Sequence, residues 1–262
     1  MQGGIRELKA KVYFIGAGPG DPDLLTIKAK NILEAADVVI YAGSLVNPEI
    51  LRYARKDAKV YNSAGMTLEE IVRVMAEAVR ERKVVARLHT GDPSLYGAIQ
   101  EQIDWLEEDG ILCEVVPGVS SMSAAAASLK REYTLPGVSQ TMIVTRLSGR
   151  TSVPGEERLS YLAKHGSSMV IFLSVHMIRE VLEQLRAGYS PETPVAVVYK
   201  ASWPDEQIIR GRLKDIAEKV EAAGVGRTAL ILVGDFLECK HDKYERSKLY
   251  DGDFEHTFRG RV

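Results

Sequence analysis

A glycine-rich turn follows the first apolar run of the chain, in the segment VYFIGAGPGDPDLLT from Val12 to Thr26. Such a turn is typical of loops that bind a nucleotide phosphate through backbone N–H groups. The dinucleotide fingerprint Gly-x-Gly-x-x-Gly is incomplete because Asp21 stands at its third glycine, and the sequence contains no P-loop. Pro19 and Pro22 have no N–H to donate, and Asp21 and Asp23 would repel an anion. We therefore expect the backbone of this turn to be approached closely by something other than a pyrophosphate.

The same turn also has a purely structural interpretation. Asp21 is typical of a helix N-cap, and Pro22 is typical of the first helical position. This interpretation does not explain why Gly16, Gly18 and Gly20 fall within five residues.

Two more turns of small residues follow apolar runs, in HTGDPSLYG (His89–Gly97) and VPGVSSMSAAAAS (Val116–Ser128). The runs VYFIGA, DVVIYA, KVVARLH and ILCEVV alternate with amphipathic segments such as LLTIKAKNILEAA and TLEEIVRVMAEAVRERK, a pattern that predicts a mostly parallel sheet with flanking helices. Ligands bind such sheets beyond the carboxyl ends of the strands, so we expect all three turns at one ligand-binding edge.

The second half of the chain predicts another α/β domain, with the strands QTMIVTR, SMVIFLS, PVAVVYK, EQIIRG and TALILVG and helices near 157–164, 176–187 and 213–222. The short link ASWPD between the third and fourth of these strands predicts a hairpin and hence a mixed sheet. We divide the chain into an N-terminal domain (1–135), a C-terminal domain (136–240) and a tail (241–262). Because the tail carries aromatic residues, we expect it to pack on the body or on a second subunit.

Composition narrows the possible classes of function. The hydrophobic content of 45% allows a large core, and the net charge of −2 argues against a nucleic-acid partner. No apolar run approaches the roughly 20 residues of a membrane helix, the segment MQGGIRELKAK lacks the apolar core of a signal peptide, and Cys113 and Cys239 form no disulfide framework. A cytoplasmic location is therefore expected. The sequence has no metal-ligand motif and no Gly-x-Ser-x-Gly elbow, so we predict no metal site and interpret Ser120 and Ser121 as helix-capping residues rather than nucleophiles.

The order of the motifs GAGPGDPDLLT, HTGDPSLYG and VPGVSS resembles the tetrapyrrole (corrin/porphyrin) methyltransferase family. TRLSGRTSVP (Thr145–Pro154), VVYKASWPDEQIIRG (Val197–Gly211) and LYDGDFEHTFR are similar to the branch of that family that methylates C11 of precorrin-4. The resemblance implies two α/β domains with the cofactor in a cleft between them, S-adenosylmethionine as methyl donor, a tetrapyrrole substrate of cobalamin biosynthesis, and a homodimer. It does not distinguish precorrin-4 from its cobalt complex.

The resemblance also implies which residues form the site. The expected cofactor contacts are Pro19, Thr90, Gly91, Asp92, Leu95, Ser120, Ser121, Leu173, Ala201, Ala229 and Leu230, although Asp92 also suits a turn and Leu173, Ala201 and Ala229 also suit a core. The expected substrate contacts are Ser44, Tyr96, Arg146, Arg150 and Lys200. The two arginines are included because a planar guanidinium matches the carboxylate arms of a tetrapyrrole.

No catalytic residue can be assigned from the sequence. Relatives often carry Asp after the second strand, where YAGSLVN places Gly43 and Ser44, so a carboxylate base is not expected there. Three alternatives stay open: a sister enzyme such as a uroporphyrinogen-III C-methyltransferase, a non-catalytic module that binds S-adenosylmethionine, and a methyltransferase that acts on RNA or protein.

Overall fold

The structure is a computed structural model that describes residues 9–239 together with Tyr244, Glu245 and Ser247. The chain forms two compact units. The first ends at Ala124 and also includes Ala201–Asp205, and the second consists of Ala125–Lys200 and the described residues from Glu206 onward. Apart from the three named residues, the predicted tail lies outside the described residues.

The first unit is built on a five-stranded sheet. Its strands are β1 (Val12–Gly16), β2 (Val38–Tyr41), β3 (Lys59–Asn62), β4 (Val85–His89) and β5 (Cys113–Val116), in the order β3-β2-β4-β1-β5. All neighbouring strands are parallel, which confirms the predicted parallel sheet. The accompanying helices are α1 (Ile27–Ala35), α2 (Leu68–Arg80), α3 (Gln100–Glu108) and α4 (Ser121–Leu129), which begins in this unit.

Burial on both faces of the sheet explains the continuous apolar runs of its central strands. Every residue of β1 and β4 is buried. Ile15 and Leu33 belong to the apolar cluster on one face, and Phe14 and Met75 to the cluster on the other. β3 was not predicted, because three of the four residues of this edge strand are exposed and its apolar pattern is weak.

The strand order creates a switch point at the centre of the sheet. The chain leaves β1 toward β2 on one side and leaves β4 toward β5 on the other side. In open α/β sheets a crevice forms beyond the carboxyl ends of two such strands. The glycine-rich turn after β1 and the turn after β4 therefore flank the position where this fold binds ligands.

The second unit contains a mixed sheet. Its strands are β6 (Met142–Arg146), β7 (Ser168–Phe172), β8 (Pro194–Tyr199), β9 (Gln207–Arg212) and β10 (Ala229–Val233), in the order β6-β7-β10-β8-β9. β6 and β7 are parallel and the other pairs are antiparallel, which confirms the mixed sheet and the hairpin of β8 and β9. The helices α5 (Leu159–Leu162), α6 (Ile178–Leu185) and α7 (Ile216–Ala222) are shorter than predicted.

An apolar cluster forms the core of the second unit as far as its residues are described. It joins residues of β7 and β10, such as Ile171 and Ile231, to the buried faces of the helices, including Leu185 and Ile216. In the part of the chain that the structure describes, no helix has both the length and the apolar character to cross a membrane.

Candidate functional site

The three small-residue turns meet at the carboxyl edge of the parallel sheet, as predicted. Gly18 and Gly91 exchange two backbone hydrogen bonds, with N···O distances of 3.3 Å from Gly18 N and 2.7 Å from Gly91 N. The N–H of Gly118 donates to Oδ2 of Asp92 at 2.9 Å. These contacts tie the turns after β1, β4 and β5 into one surface made largely of backbone.

The structure explains why positions 16, 18 and 20 of the first turn are glycine. A Cβ on Gly16 would lie 2.5 Å from the Cα of Gly118. Gly18 has φ +76°, a left-handed conformation that favours glycine. A Cβ on Gly20 would lie 2.7 Å from Cγ of Trp203 and closer still to other atoms of the indole. The groups that approach this backbone are therefore parts of the protein itself.

The N–H groups of the glycine-rich turn are directed into the protein. The N–H of Ala17 donates to a carbonyl of β4 at 2.7 Å, and the N–H of Asp21 donates to the Ser202 hydroxyl at 3.0 Å. Pro19 and Pro22 have no N–H. The turn thus offers no array of donors of the kind that binds a pyrophosphate.

The structural interpretation of Asp21 and Pro22 is confirmed. Pro22–Leu24 forms one 3-10 turn, in which Pro22 occupies the first position. The Asp21 carboxylate accepts a hydrogen bond from the N–H of Asp23 at 2.9 Å and so caps this turn.

Asp92 holds two turns together with its carboxylate. Oδ1 accepts the N–H of Ser94 at 2.8 Å and the Ser94 hydroxyl, while Oδ2 accepts the N–H of Gly118. Burial raises the pKa of Asp92, but the hydrogen bonds from Ser94 and Gly118 outweigh burial and lower its pKa below the ordinary value. The group is therefore an anion at neutral pH, at the edge where a ligand would bind.

Two buried basic residues of β4 lie directly before this turn, and sequence reasoning missed both. Arg87 donates to the side-chain oxygen of Gln102 at 3.2 Å and to the Ser63 hydroxyl at 2.9 Å. Burial, together with the charge of Arg87, lowers the pKa of His89 to about 3, although a hydrogen bond with the Gly97 backbone opposes the shift. Its Nε2 is buried and has no hydrogen-bond partner among the described residues. Arg87 and His89 are two positions apart in β4 and therefore lie on one face of the sheet, but nothing in the local sequence indicates that both are buried.

Other predicted residues of this edge differ in exposure. Ser120 is buried, and its hydroxyl accepts the N–H of Met122 at 3.4 Å, which confirms it as the cap of α4. Thr90 and Leu95 are partly buried. Tyr96 is 43% exposed and has φ +57°, an uncommon backbone conformation for a bulky residue.

In the second unit, Leu173 is not the core residue that its apolar neighbours indicated. It is 59% exposed and has φ +55°. Strained backbone of this kind concentrates at ligand-binding sites. Leu230 is buried, and Ala229 packs partly buried against the core cluster. Ala201 is buried as well, but it belongs to the first unit.

The predicted basic residues have different partners. The guanidinium of Arg146, the last residue of β6, donates to the carbonyls of Thr151 and Ser152, both at 3.0 Å, and so braces the loop that follows β6. Arg150 is exposed, and the Lys200 ammonium lies 5.4 Å from the centre of the Tyr199 ring.

A cavity of about 380 Å³ is lined by Arg146, Ser148, Val153, Arg158, Leu159, Ser160 and Gln184.

The turn after β2 gives a structural reason for glycine at position 43. The N–H of Gly43 donates to the side-chain oxygen of Asn62 at 3.2 Å, and a Cβ on Gly43 would lie 2.5 Å from Cγ of Asn62. An aspartate at this position would require Asn62 to move. Ser44 next to it is exposed.

Within residues 9–239 and the three described residues beyond them, no three His, Cys, Asp or Glu side chains are grouped as metal ligands would be.

Comparison with known proteins identifies the class. The chain belongs to the tetrapyrrole (corrin/porphyrin) methylases, because the model of that family matches residues 11–217. It is 61% identical over 250 residues to the cobalt-precorrin-4 C(11)-methyltransferase of Methanocaldococcus jannaschii, and the match covers 95% of this chain and 96% of that relative.

Solved structures agree with this assignment. The fold is similar to the X-ray structure of a cobalt precorrin-4 methyltransferase, with a TM-score of 0.85, 48% identity and coverage of 88% of this chain and 97% of that chain. It is also similar to the uroporphyrin-III C-methyltransferase of Thermus thermophilus complexed with S-adenyl homocysteine, with a TM-score of 0.74, 32% identity and coverage of 87% and 98%. The two α/β sheets predicted from the sequence are therefore those of this family.

Proposed function

We propose that this protein is an S-adenosylmethionine-dependent methyltransferase of corrin-ring biosynthesis that methylates C11 of precorrin-4, as its cobalt complex. The observation that carries the proposal is the 61% identity to a cobalt-precorrin-4 C(11)-methyltransferase along 95% of the chain. The match spans 250 of the 262 residues, so it is not confined to a single motif or a single domain.

The cofactor is proposed to bind at the edge where the three turns meet. S-adenosylmethionine carries a sulfonium cation and no phosphate, which suits an edge with an ionised Asp92 and a glycine-rich turn whose N–H groups at Ala17, Gly18 and Asp21 are bonded within the protein. The contacts we assign in the first unit are Pro19, Thr90, Gly91, Asp92, Leu95, Ser120, Ser121 and Ala201. Those assigned in the second unit are Leu173, Ala229 and Leu230, toward the adenine and ribose. The exposed, strained Leu173 supports this assignment.

Methyl transfer from a sulfonium is an in-line displacement. The S–CH₃ bond breaks as the new C–CH₃ bond forms, S-adenosylhomocysteine leaves as a neutral thioether, and a proton is lost in the overall reaction. The chain's contribution is to align donor and acceptor carbon and to exclude water, which supplies a large part of the rate. The acceptor of the proton is not assigned, and Gly43 offers no carboxylate for it.

The substrate is proposed to be held by its acidic arms. Arg150 is exposed and can receive a carboxylate directly, while Arg146 braces the same loop through its bonds to two carbonyls. Lys200, Ser44 and Tyr96 are assigned as further substrate contacts. Tyr96 and Lys200 both have positive φ, which is consistent with a functional role.

A cytoplasmic homodimer is proposed as the state in which the enzyme works. The proposal rests on the apolar strands of the second half, on the aromatic residues of the sequence beyond residue 240, and on analogy with the family. Light scattering at micromolar concentration tests it, with twice the chain mass expected and the chain mass contradicting it.

Two measurements test the function. Calorimetry should detect tight binding of S-adenosylmethionine and S-adenosylhomocysteine, and none of NAD or ATP. Incubation with labelled S-adenosylmethionine and precorrin-4, with and without cobalt, should transfer the label to the cobalt complex. Binding without transfer to any tetrapyrrole would instead support a module that only senses the cofactor.

A sister activity is the main competing proposal. The similarity to the uroporphyrin-III C-methyltransferase of Thermus thermophilus favours it, but at 32% identity, against 61% for the cobalt-precorrin-4 relative. Competition between uroporphyrinogen-III and cobalt-precorrin-4 for the labelled methyl group separates the two. We expect the label almost wholly on cobalt-precorrin-4.

A further inference from the structure

The segment between β8 and β9 contacts the glycine-rich turn through specific side-chain bonds. The indole N–H of Trp203 donates to the Pro19 carbonyl at 2.9 Å. The Ser202 hydroxyl accepts the N–H of Asp21 at 3.0 Å. All four residues belong to the first unit, because Ala201–Asp205 is part of it.

The indole ring also packs directly on Gly20. A Cβ at this position would lie 2.7 Å from Cγ of Trp203 and would overlap Cδ1 and Nε1. Gly20 has no positive φ, so its backbone alone would accept alanine. The ring of Trp203 is therefore the reason that this position requires glycine.

Three consecutive residues of the turn are held from outside by side chains. Trp203 binds the Pro19 carbonyl, Asn47 Nδ2 donates to the Gly20 carbonyl at 2.8 Å, and Ser202 binds the Asp21 N–H. Ser202 itself has φ +68°, a strained conformation that persists only where surrounding contacts enforce it. The peptide planes from Pro19 to Asp21 are thus fixed before any ligand binds.

We propose that Trp203 is a positioning residue that holds the glycine-rich turn in the conformation that receives the cofactor. The inference rests on the proposed binding of S-adenosylmethionine at this edge. A turn that is already fixed loses little conformational freedom on binding, so the affinity depends on the contacts that fix it. Trp203 acts through Pro19 and Gly20 and is not itself assigned as a cofactor contact.

The first test compares single substitutions at Trp203 by calorimetry with S-adenosylhomocysteine, by steady-state kinetics and by thermal melts. Trp203→Phe keeps a ring on Gly20 but removes the N–H donor, and Trp203→Ala removes both. We expect S-adenosylhomocysteine to bind about threefold more weakly to the first variant and about tenfold or more weakly to the second. The KM for S-adenosylmethionine should rise in parallel, while the KM for the tetrapyrrole stays unchanged.

Trp105→Phe is the matched control, since Trp105 is the other tryptophan of the chain and is 39% exposed on α3. It should bind S-adenosylhomocysteine as the unmodified protein does. A merely structural role for Trp203 would lower the melting temperature and leave both KM values unchanged, and that result would overturn the inference.

The second test uses the pairing of Trp203 with Gly20. Gly20→Ala should weaken S-adenosylhomocysteine binding in the unmodified protein, because the new Cβ displaces the indole. In the Trp203→Ala background the same change should have almost no further effect. If Gly20→Ala is equally harmful in both backgrounds, the ring is not what positions the turn.

The failure of this inference is distinguishable from failure of the proposed function. An unmodified protein that does not bind S-adenosylhomocysteine contradicts the proposed function. If the unmodified protein binds S-adenosylhomocysteine and the variants Trp203→Phe and Trp203→Ala bind it equally well, only the proposed role of Trp203 is contradicted.

Discussion

The carboxylate of Asp92 accepts the N–H of Gly118 at 2.9 Å and so joins the turn after β4 to the turn after β5. Because these two turns and the glycine-rich turn form the proposed cofactor edge, the bond links stability to ligand binding. Both oxygens of Asp92 already accept hydrogen bonds from within the protein. Each oxygen of an ionised carboxylate can accept more than one hydrogen bond, so Asp92 can still accept one from a ligand.

Asp92→Asn should therefore weaken both folding and cofactor binding. The substitution removes the charge and replaces one acceptor oxygen with a donor, which leaves either Gly118 or Ser94 without its acceptor. We expect a loss of about 1–2 kcal/mol in the free energy of unfolding, measured by urea denaturation, together with weaker calorimetric binding of S-adenosylhomocysteine. Asp104→Asn on the exposed side of α3 is the control. Unchanged binding in Asp92→Asn would remove Asp92 from the site.

Leu173→Ala should separate binding from stability. Because Leu173 is 59% exposed, its truncation should change the free energy of unfolding by only about 0.5 kcal/mol. If the side chain packs on the adenosyl group, binding of S-adenosylhomocysteine should weaken about tenfold through lost apolar contact. Leu112→Ala, at a residue that is 68% exposed, is the matched control. Equal affinity in the two variants would show that Leu173 does not contact the cofactor.

Arg146, which ends β6, and Arg150, in the loop that follows β6, should behave differently. Arg150→Ala should raise the KM for the tetrapyrrole about tenfold, with an unchanged melting temperature and an unchanged Kd for S-adenosylmethionine. Arg146→Ala should also lower the melting temperature, because its guanidinium bonds the Thr151 and Ser152 carbonyls. Arg227→Ala, at an exposed position, is the control for loss of charge. If Arg150→Ala keeps the KM of the unmodified protein, the carboxylate arms are bound elsewhere.

His89 should make the protein less stable in acid. Its pKa is lowered to about 3 in the folded chain, from an ordinary value of 6.5, so the unfolded chain takes up a proton first as the pH falls. The folded state therefore loses about 2 kcal/mol between pH 7 and pH 5 from this group alone. His89→Gln cannot titrate, and its free energy of unfolding should fall less over this range.

The control for this experiment is His165→Gln, because His165 is exposed. The free energy of unfolding is measured by urea denaturation at several pH values. For each variant it is compared with the value of the same variant at pH 7, so a loss of stability that does not depend on pH cancels. If the free energy of unfolding falls equally with pH in His89→Gln and in the unmodified protein, the buried imidazole is not the group that titrates.

The sequence was sufficient for the parts of the fold that depend on continuous apolar runs. The buried strands β1 and β4 and the hairpin of β8 and β9 were predicted because long-range packing and local pattern agree there. The edge strand β3 was missed because three of its four residues are exposed, so its pairing with β2 leaves little trace in the sequence.

The sequence predicted only those parts of the candidate site whose positions are determined by where the parallel strands end. The three turns had to meet, since parallel strands end at a common edge. The contact of Trp203 with Pro19 joins residues 184 positions apart, and no local pattern announces it. For the same reason the exposure of Leu173 and the bonds of Arg146 to the loop that follows β6 became visible only in three dimensions.

The most direct test of the central proposal is the position of the transferred methyl group. The unmodified protein is incubated with cobalt-precorrin-4 and S-adenosylmethionine labelled with ¹³C in its methyl group, and the product is examined by NMR. We predict one labelled methyl group, bonded to C11 of the ring, and an equivalent of S-adenosylhomocysteine. A labelled methyl group on any other ring carbon, or no labelled tetrapyrrole despite bound cofactor, would contradict the proposed function.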